Sequence, residues 1–173
     1  MLSLNIPKDI IVFINENWIE LKGPLGTIKK KKSKDILLSF DPITRKLWVS
    51  DKNAGKAHFY ISMLNKLIWG IWKGYSVKLN IIGVGYKVFL EQNFLIFKIG
   101  FSHNVSYEIP ENIKIKILNQ KLLTIVVFGQ DLQKVTQTAA EIKALKPIEP
   151  YKGKGIKYFN ETIKLKEGKK TNV

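Results

Sequence analysis

The densest chemistry in the chain lies in one stretch, Lys146-Pro147-Ile148-Glu149-Pro150-Tyr151-Lys152-Gly153-Lys154-Gly155-Ile156-Lys157-Tyr158. Two prolines stiffen the approach. Gly153 and Gly155 let the backbone come close to a ligand and expose N–H groups. Lys152, Lys154 and Lys157 supply phosphate partners, and Tyr151 and Tyr158 offer faces for a base or a ribose. Basic residues interleaved with glycine and aromatics suit an RNA backbone. The competing reading is a solvated basic loop whose two tyrosines anchor it to the core. A nucleotide phosphate loop is excluded, because Ile156 follows Lys154-Gly155 where serine or threonine is required. Gly83-Val84-Gly85 fails the dinucleotide fingerprint, because Val88 stands where the third glycine belongs.

Other chemistries lack their parts. The chain has no cysteine, so it has no thiol nucleophile and no thiolate metal site. Its two histidines, His58 and His103, cannot build a His-rich metal centre. Ser102 and His103 are adjacent, which places them poorly for nucleophilic catalysis, and His103 reads as a turn residue. The carboxylates form no evident acid/base pair. The expectation is a protein that is not an enzyme, with no cofactor and no small-molecule substrate. No apolar run approaches the length of a spanning helix, so no membrane span is expected. The N-terminus shows neither a secretory pattern nor an Arg- and Ser-rich import extension. The protein is therefore expected to work where it is made, or its presequence is missing from this sequence.

The charge balance points to a polyanion. The 29 basic residues outweigh the 14 acidic ones by +15. Arg45 is the only arginine. Lysine suits phosphate as a point charge, whereas arginine is preferred for bidentate reading of guanine, so backbone contact is favoured over base reading. Ile, Lys, Asn, Phe and Tyr together make up 79 of the 173 residues, a bias toward AT-rich codons that hints at an organellar genome.

The elements that must position these residues follow from periodicity. Ile10 to Ile14 reads as a buried strand, and Trp18 to Lys22 as its hairpin partner. Gly23-Pro24-Leu25-Gly26 breaks the chain, and Lys29 to Lys32 is a four-lysine run on a loop or strand end. Ile36 to Phe40 and Leu47 to Val49 are strand-like. Tyr60, Met63, Leu64, Leu67, Ile68 and Ile71 share one helical face, predicting a helix over about residues 54–73 that Gly74 stops. Trp69 and Trp72 are expected in the core. Val77 to Ile82 returns to strand.

The second half repeats this order. Strands are predicted over 86–90, 94–99, 113–117 and 123–127, followed by a helical stripe at Leu132, Val135, Ala139 and Ile142 that Pro147 ends. Val12-Phe13-Ile14 with Asn17 matches Val88-Phe89-Leu90 with Asn93, and Asp51 and Asp131 each precede a helix. The fold class predicted is α+β, with two tandem duplicated domains, each a mainly antiparallel sheet covered by one helix. The first repeat is placed at 1–81. The second is placed at 82–173, with a basic C-terminal tail.

These residues resemble the uL6 family of large-subunit ribosomal proteins, in its bacterial or organellar form, over nearly the full length. The most specific match is Glu149-Pro150-Tyr151-Lys152-Gly153-Lys154-Gly155-Ile156-Lys157-Tyr158. Lys22-Gly23-Pro24-Leu25-Gly26, Gly83-Val84-Gly85-Tyr86-Lys87, and Gly100-Phe101-Ser102-His103 with Tyr107-Glu108-Ile109-Pro110 support it. Ile148 and Asn104 stand where the family usually has proline. Lys143, Lys146 and Lys157 occupy positions where arginine is common.

The resemblance implies a structural role in the large ribosomal subunit and contact with large-subunit rRNA near the sarcin–ricin and factor-binding region. Tyr151, Lys152, Gly153, Lys154, Gly155 and Lys157 are the rRNA-binding residues so implied, with Lys143, Lys146, Lys169 and Lys170 added by charge and position. Neighbouring ribosomal proteins are the other implied partners. The expected location is the ribosome of the mitochondrial matrix, with a plastid or a bacterial cytoplasm as alternatives. The rival function is a free RNA-binding accessory protein or RNA chaperone.

Overall fold

A computed structural model describes residues 2–51, 55–119 and 123–167. Packing divides the chain into two compact units: Met1–Tyr75 with Gln130–Leu132, and Ser76–Gly129 with Gln133–Val173.

The first unit is α+β. It opens with β1 (Leu2–Asn5), then a meander of β2 (Ile11–Ile14), β3 (Trp18–Gly23) and β4 (Gly26–Lys31). A hairpin of β5 (Ile36–Asp41) and β6 (Lys46–Asp51) follows and pairs with β1 in the order β1-β6-β5. All of these pairs are antiparallel. Helix α1 (Lys56–Trp72) buries Tyr60, Leu64, Ile68 and Ile71 in a core shared with Ile6, Ile10, Ile19, Leu21, Leu47 and Val49. The Lys56 N–H donates to a carboxylate oxygen of Asp51 at 2.8 Å, which satisfies a donor that the first turn leaves open. At the other end Gly74 adopts φ 77° and its N–H donates to the Trp69 carbonyl at 3.1 Å, so the predicted stop is a left-handed glycine closure.

Two expectations need correction here. The Ile10 to Ile14 run is not a fully buried strand. Ile10 is buried, but Ile11 and Phe13 are half-exposed, because β2 is an edge strand with one face on the core. Trp69 is not a core residue either. It is 44% exposed and meets Trp72 edge-to-face at 5.7 Å, one position off the buried stripe, with the Lys73 ammonium over both rings.

In the second unit, β7 (Tyr75–Ile82) leads into a meander of β8 (Lys87–Glu91), β9 (Phe94–Lys98) and β10 (Val105–Glu108). β11 (Ile113–Asn119), β12 (Thr124–Gly129), α2 (Leu132–Leu145) and β13 (Gly155–Tyr158) complete it. The larger sheet has the order β11-β12-β7-β13. Its core includes Leu79, Ile81, Ile115, Ile125, Val127, Val135, Ala139, Ile142 and Ile156.

Each unit thus divides its strands between a three-stranded meander and a second sheet. The order β1-β6-β5 recurs as β7-β12-β11, with β13 added beyond β7. The residues read from sequence as the close of the first repeat therefore open the second unit: β7 hydrogen-bonds with β13 through Gly155↔Ile82 to Tyr158↔Leu79.

Candidate nucleic-acid interface

Helix α2 ends just before Pro147, and the chain must then return to β7 as β13. The Ile156 N–H donates to the Lys146 carbonyl at 2.8 Å, clamping the two ends of the excursion. Within it, the Glu149 N–H donates to the Lys154 carbonyl at 2.9 Å and the Gly153 N–H donates to the Glu149 carbonyl at 3.0 Å. The loop is therefore closed by its own main chain. Gly153 sits at φ 65°, which favours glycine. Gly155 is buried, and a Cβ there would lie 2.6 Å from the Pro147 carbonyl oxygen. Its small size serves the approach of two backbone segments of this chain.

The predicted residues separate into three groups. Tyr151, 56% exposed, and Lys152 project from the loop, and Lys154 is partly exposed beside them. Lys143, Lys157 and Tyr158 gather instead on Glu161, a residue that sequence reasoning did not single out. The Lys143 ammonium donates to both Glu161 carboxylate oxygens at 2.8 Å and lies 4.6 Å from the Tyr158 ring centre. The Tyr158 N–H donates to the same carboxylate at 3.0 Å, and the Lys157 ammonium donates to the Glu161 carbonyl at 3.1 Å. The Lys143 hydrogen bond, and after it the Tyr158 N–H, hold the Glu161 carboxyl below its ordinary pKa. Lys146 makes the third group: its ammonium sits 4.2 Å from the Phe101 ring centre, and Phe101 stacks on His103. His103 itself is exposed on a bend, as a turn residue should be. Lys169 and Lys170 lie outside the described residues.

Beyond β13 the chain doubles back past the loop. The Phe159 N–H donates to the Lys78 carbonyl at 3.0 Å, and the Lys166 N–H donates to the Pro150 carbonyl at 2.8 Å. This return encloses an open groove of about 610 Å³ whose lining includes Lys152, Gly153, Lys157, Phe159 and Asn160. Among the described residues there is no cluster of histidine and carboxylate side chains fit to hold a metal ion, and no helix long and apolar enough to cross a membrane.

The sequence comparisons bear on this loop directly. A family model described as Ribosomal protein L6 matches residues 82–159, which include the whole excursion. The large ribosomal subunit protein uL6m of Reclinomonas americana is 40% identical over 97% of this chain and 96% of its own. The chain belongs to the uL6 family. Its bacterial relatives include the large ribosomal subunit protein uL6 of Acidithiobacillus ferrooxidans, 38% identical over 95% of this chain and 94% of its own, and that of Thermotoga neapolitana, 33% identical over 96% and 95%. The uL6 proteins are structural components and not enzymes, in keeping with the expected lack of catalytic machinery.

Proposed function

We propose that this chain is a structural constituent of the large ribosomal subunit and binds large-subunit rRNA through the 146–158 excursion, near the sarcin–ricin and factor-binding region. The observation that carries the reading is the exposure of Tyr151 and Lys152 on a loop closed by its own main-chain hydrogen bonds. A surface held rigid before contact loses little entropy on binding. Lys152 and Lys154 meet phosphates, and Tyr151 stacks on a base or packs on a ribose. Gly153 and Gly155 shape the loop. Lys143 and Lys157 act through Glu161 by fixing the return strand, and Lys146 acts with Phe101. Lys169 and Lys170 extend the basic tail toward the same RNA. Neighbouring large-subunit proteins are the remaining partners. The AT-rich composition and the mitochondrial relative favour a mitochondrial ribosome.

Sedimentation of the endogenous protein at moderate and high salt tests this. Co-migration with large subunits at near one copy each, surviving the salt wash, supports it. Migration with heterogeneous RNA or as free protein favours the accessory-factor reading. On isolated rRNA, Lys152→Ala with Lys154→Ala should flatten the dependence of log affinity on log salt by about 0.7–0.9 per lost contact. An unchanged slope in the folded variant would remove these two lysines from the interface.

A further inference from the structure

The first unit carries a surface that this function does not use. In the β2-β3-β4 meander, Val12, Ile14, Ile19, Leu21 and Ile28 face the core. The pleat sends their neighbours to the opposite face. The register places Ile11 across from Lys22, Phe13 across from Glu20, Glu20 across from Lys29 and Trp18 across from Lys31. That outward face holds three lysines and one carboxylate around exposed Phe13 and partly exposed Trp18. The Lys29 ammonium stands 3.9 Å from the Trp18 ring centre. The corresponding face of the β8-β9-β10 meander carries Phe89, Phe94 and Ile96 as well, but balances Lys87 and Lys98 against Glu91 and Glu108. Both units therefore show aromatic sheet faces, and only the first is cationic.

We infer that the outward face of the β2-β3-β4 meander is a second RNA-docking surface, separate from the 146–158 loop. Lys22, Lys29 and Lys31 take phosphates, and Phe13 offers its ring to an unstacked base. Charge selects the occupant: an apolar face on which three lysines outnumber the single carboxylate of Glu20 fits a polyanion with stackable bases. The inference rests on the rRNA-binding reading only for which RNA is bound.

The test uses the full chain and rRNA extracted from large subunits, with affinity measured across a salt series. K22Q/K29Q/K31Q should lower the log–log slope by about 2–3, following the 0.7–0.9 per contact expected for phosphate neutralisation. K22R/K29R/K31R should keep the slope, which separates lost charge from lost folding. K87Q/K98Q, on the balanced face, should leave it unchanged. Ultraviolet cross-linking should join Phe13 or Trp18 to RNA. If K152Q/K154Q lowers the slope and K22Q/K29Q/K31Q does not, the inference falls and the loop assignment stands. If the unaltered chain fails to bind the rRNA, the rRNA-binding reading falls with it. Cross-links from this face to a neighbouring protein inside intact subunits would assign it to protein and overturn the inference.

Discussion

Lys143 and Glu161 are 18 positions apart in sequence, yet one ammonium bonds both oxygens of one carboxylate at 2.8 Å. The pair ties the last turns of α2 to the segment that follows β13, and the same carboxylate receives the Tyr158 N–H. Two residues of opposite charge thus set the position of a strand end that carries another lysine, Lys157.

This geometry predicts an acid-sensitive tail. The Glu161 carboxyl is held below its ordinary value by Lys143 and the Tyr158 N–H. A carboxylate whose folded pKa is depressed stabilises the fold above its unfolded value of about 4.3 and loses that contribution as pH falls through the folded pKa. The Tyr158 amide resonance should stay constant near neutrality and move at pH values below the ordinary glutamate range. Glu161→Gln should abolish that movement.

Tyr107 predicts the opposite limb. Its hydroxyl donates to Glu141 at 2.6 Å, joining β10 to α2. Burial first, and the bond to Glu141 second, push its pKa up to about 12. A phenol with a raised folded pKa stabilises the fold fully below its unfolded value of about 10, and that contribution is lost as pH rises through the folded value. Spectrophotometric titration should show one tyrosine ionising near 12, and Tyr107→Phe should remove that step.

Gly155→Ala should destabilise the second unit by about 1–3 kcal/mol, the usual cost of an unfavourable backbone conformation, with the backbone clash added. Gly155 sits at φ 139° with the Pro147 carbonyl oxygen 2.6 Å from where a Cβ would stand. Urea denaturation reads the loss. A variant as stable as the parent would show that the loop can open without cost.

Arg45→Lys should cost about 1.5–3 kcal/mol, the worth of hydrogen bonds from a charged donor. The Arg45 guanidinium reaches the carbonyls of both Pro7 and Ile10, the latter at 2.7 Å, and lies over the Phe40 ring. Both bonds leave from one guanidinium nitrogen, Nη2, and the shorter lysine side chain would set its ammonium back from both carbonyls and off the Phe40 ring. Thermal unfolding should show the drop with RNA affinity unchanged, because the only arginine in the chain is a brace for the 7–10 turn.

The legible parts of the fold were those with long periodic signals. The α1 stripe from Tyr60 to Ile71 and the α2 stripe from Val135 to Ile142 both bury as spaced. β1 carries little signal, because Leu2–Asn5 is four residues long, with only alternate residues partly covered. In the loop, residue type revealed chemistry but not partner. Lys143, Lys152 and Lys157 look alike in sequence, and whether an ammonium meets a phosphate or Glu161 is decided by tertiary approach. Glu161 itself gives no periodic signal, and the Asn160-Glu161-Thr162 pattern around it says nothing of an ion pair. Trp69 and Phe13 illustrate a related point: hydrophobic type does not by itself mean burial, and an edge strand or a helix flank leaves such residues in view.

β13 has a consequence for how the protein is made. It supplies the bond from Ile156 to Lys146 and the pairing to β7 that close the excursion. Among the described residues it is also the last strand in chain order. A nascent chain that stops before Tyr158 already contains Tyr151, Lys152 and Lys154 but lacks the partner that shapes them. The loop therefore takes its shape only after β13 has been made, and a product truncated before Tyr158 lacks the strand that closes it.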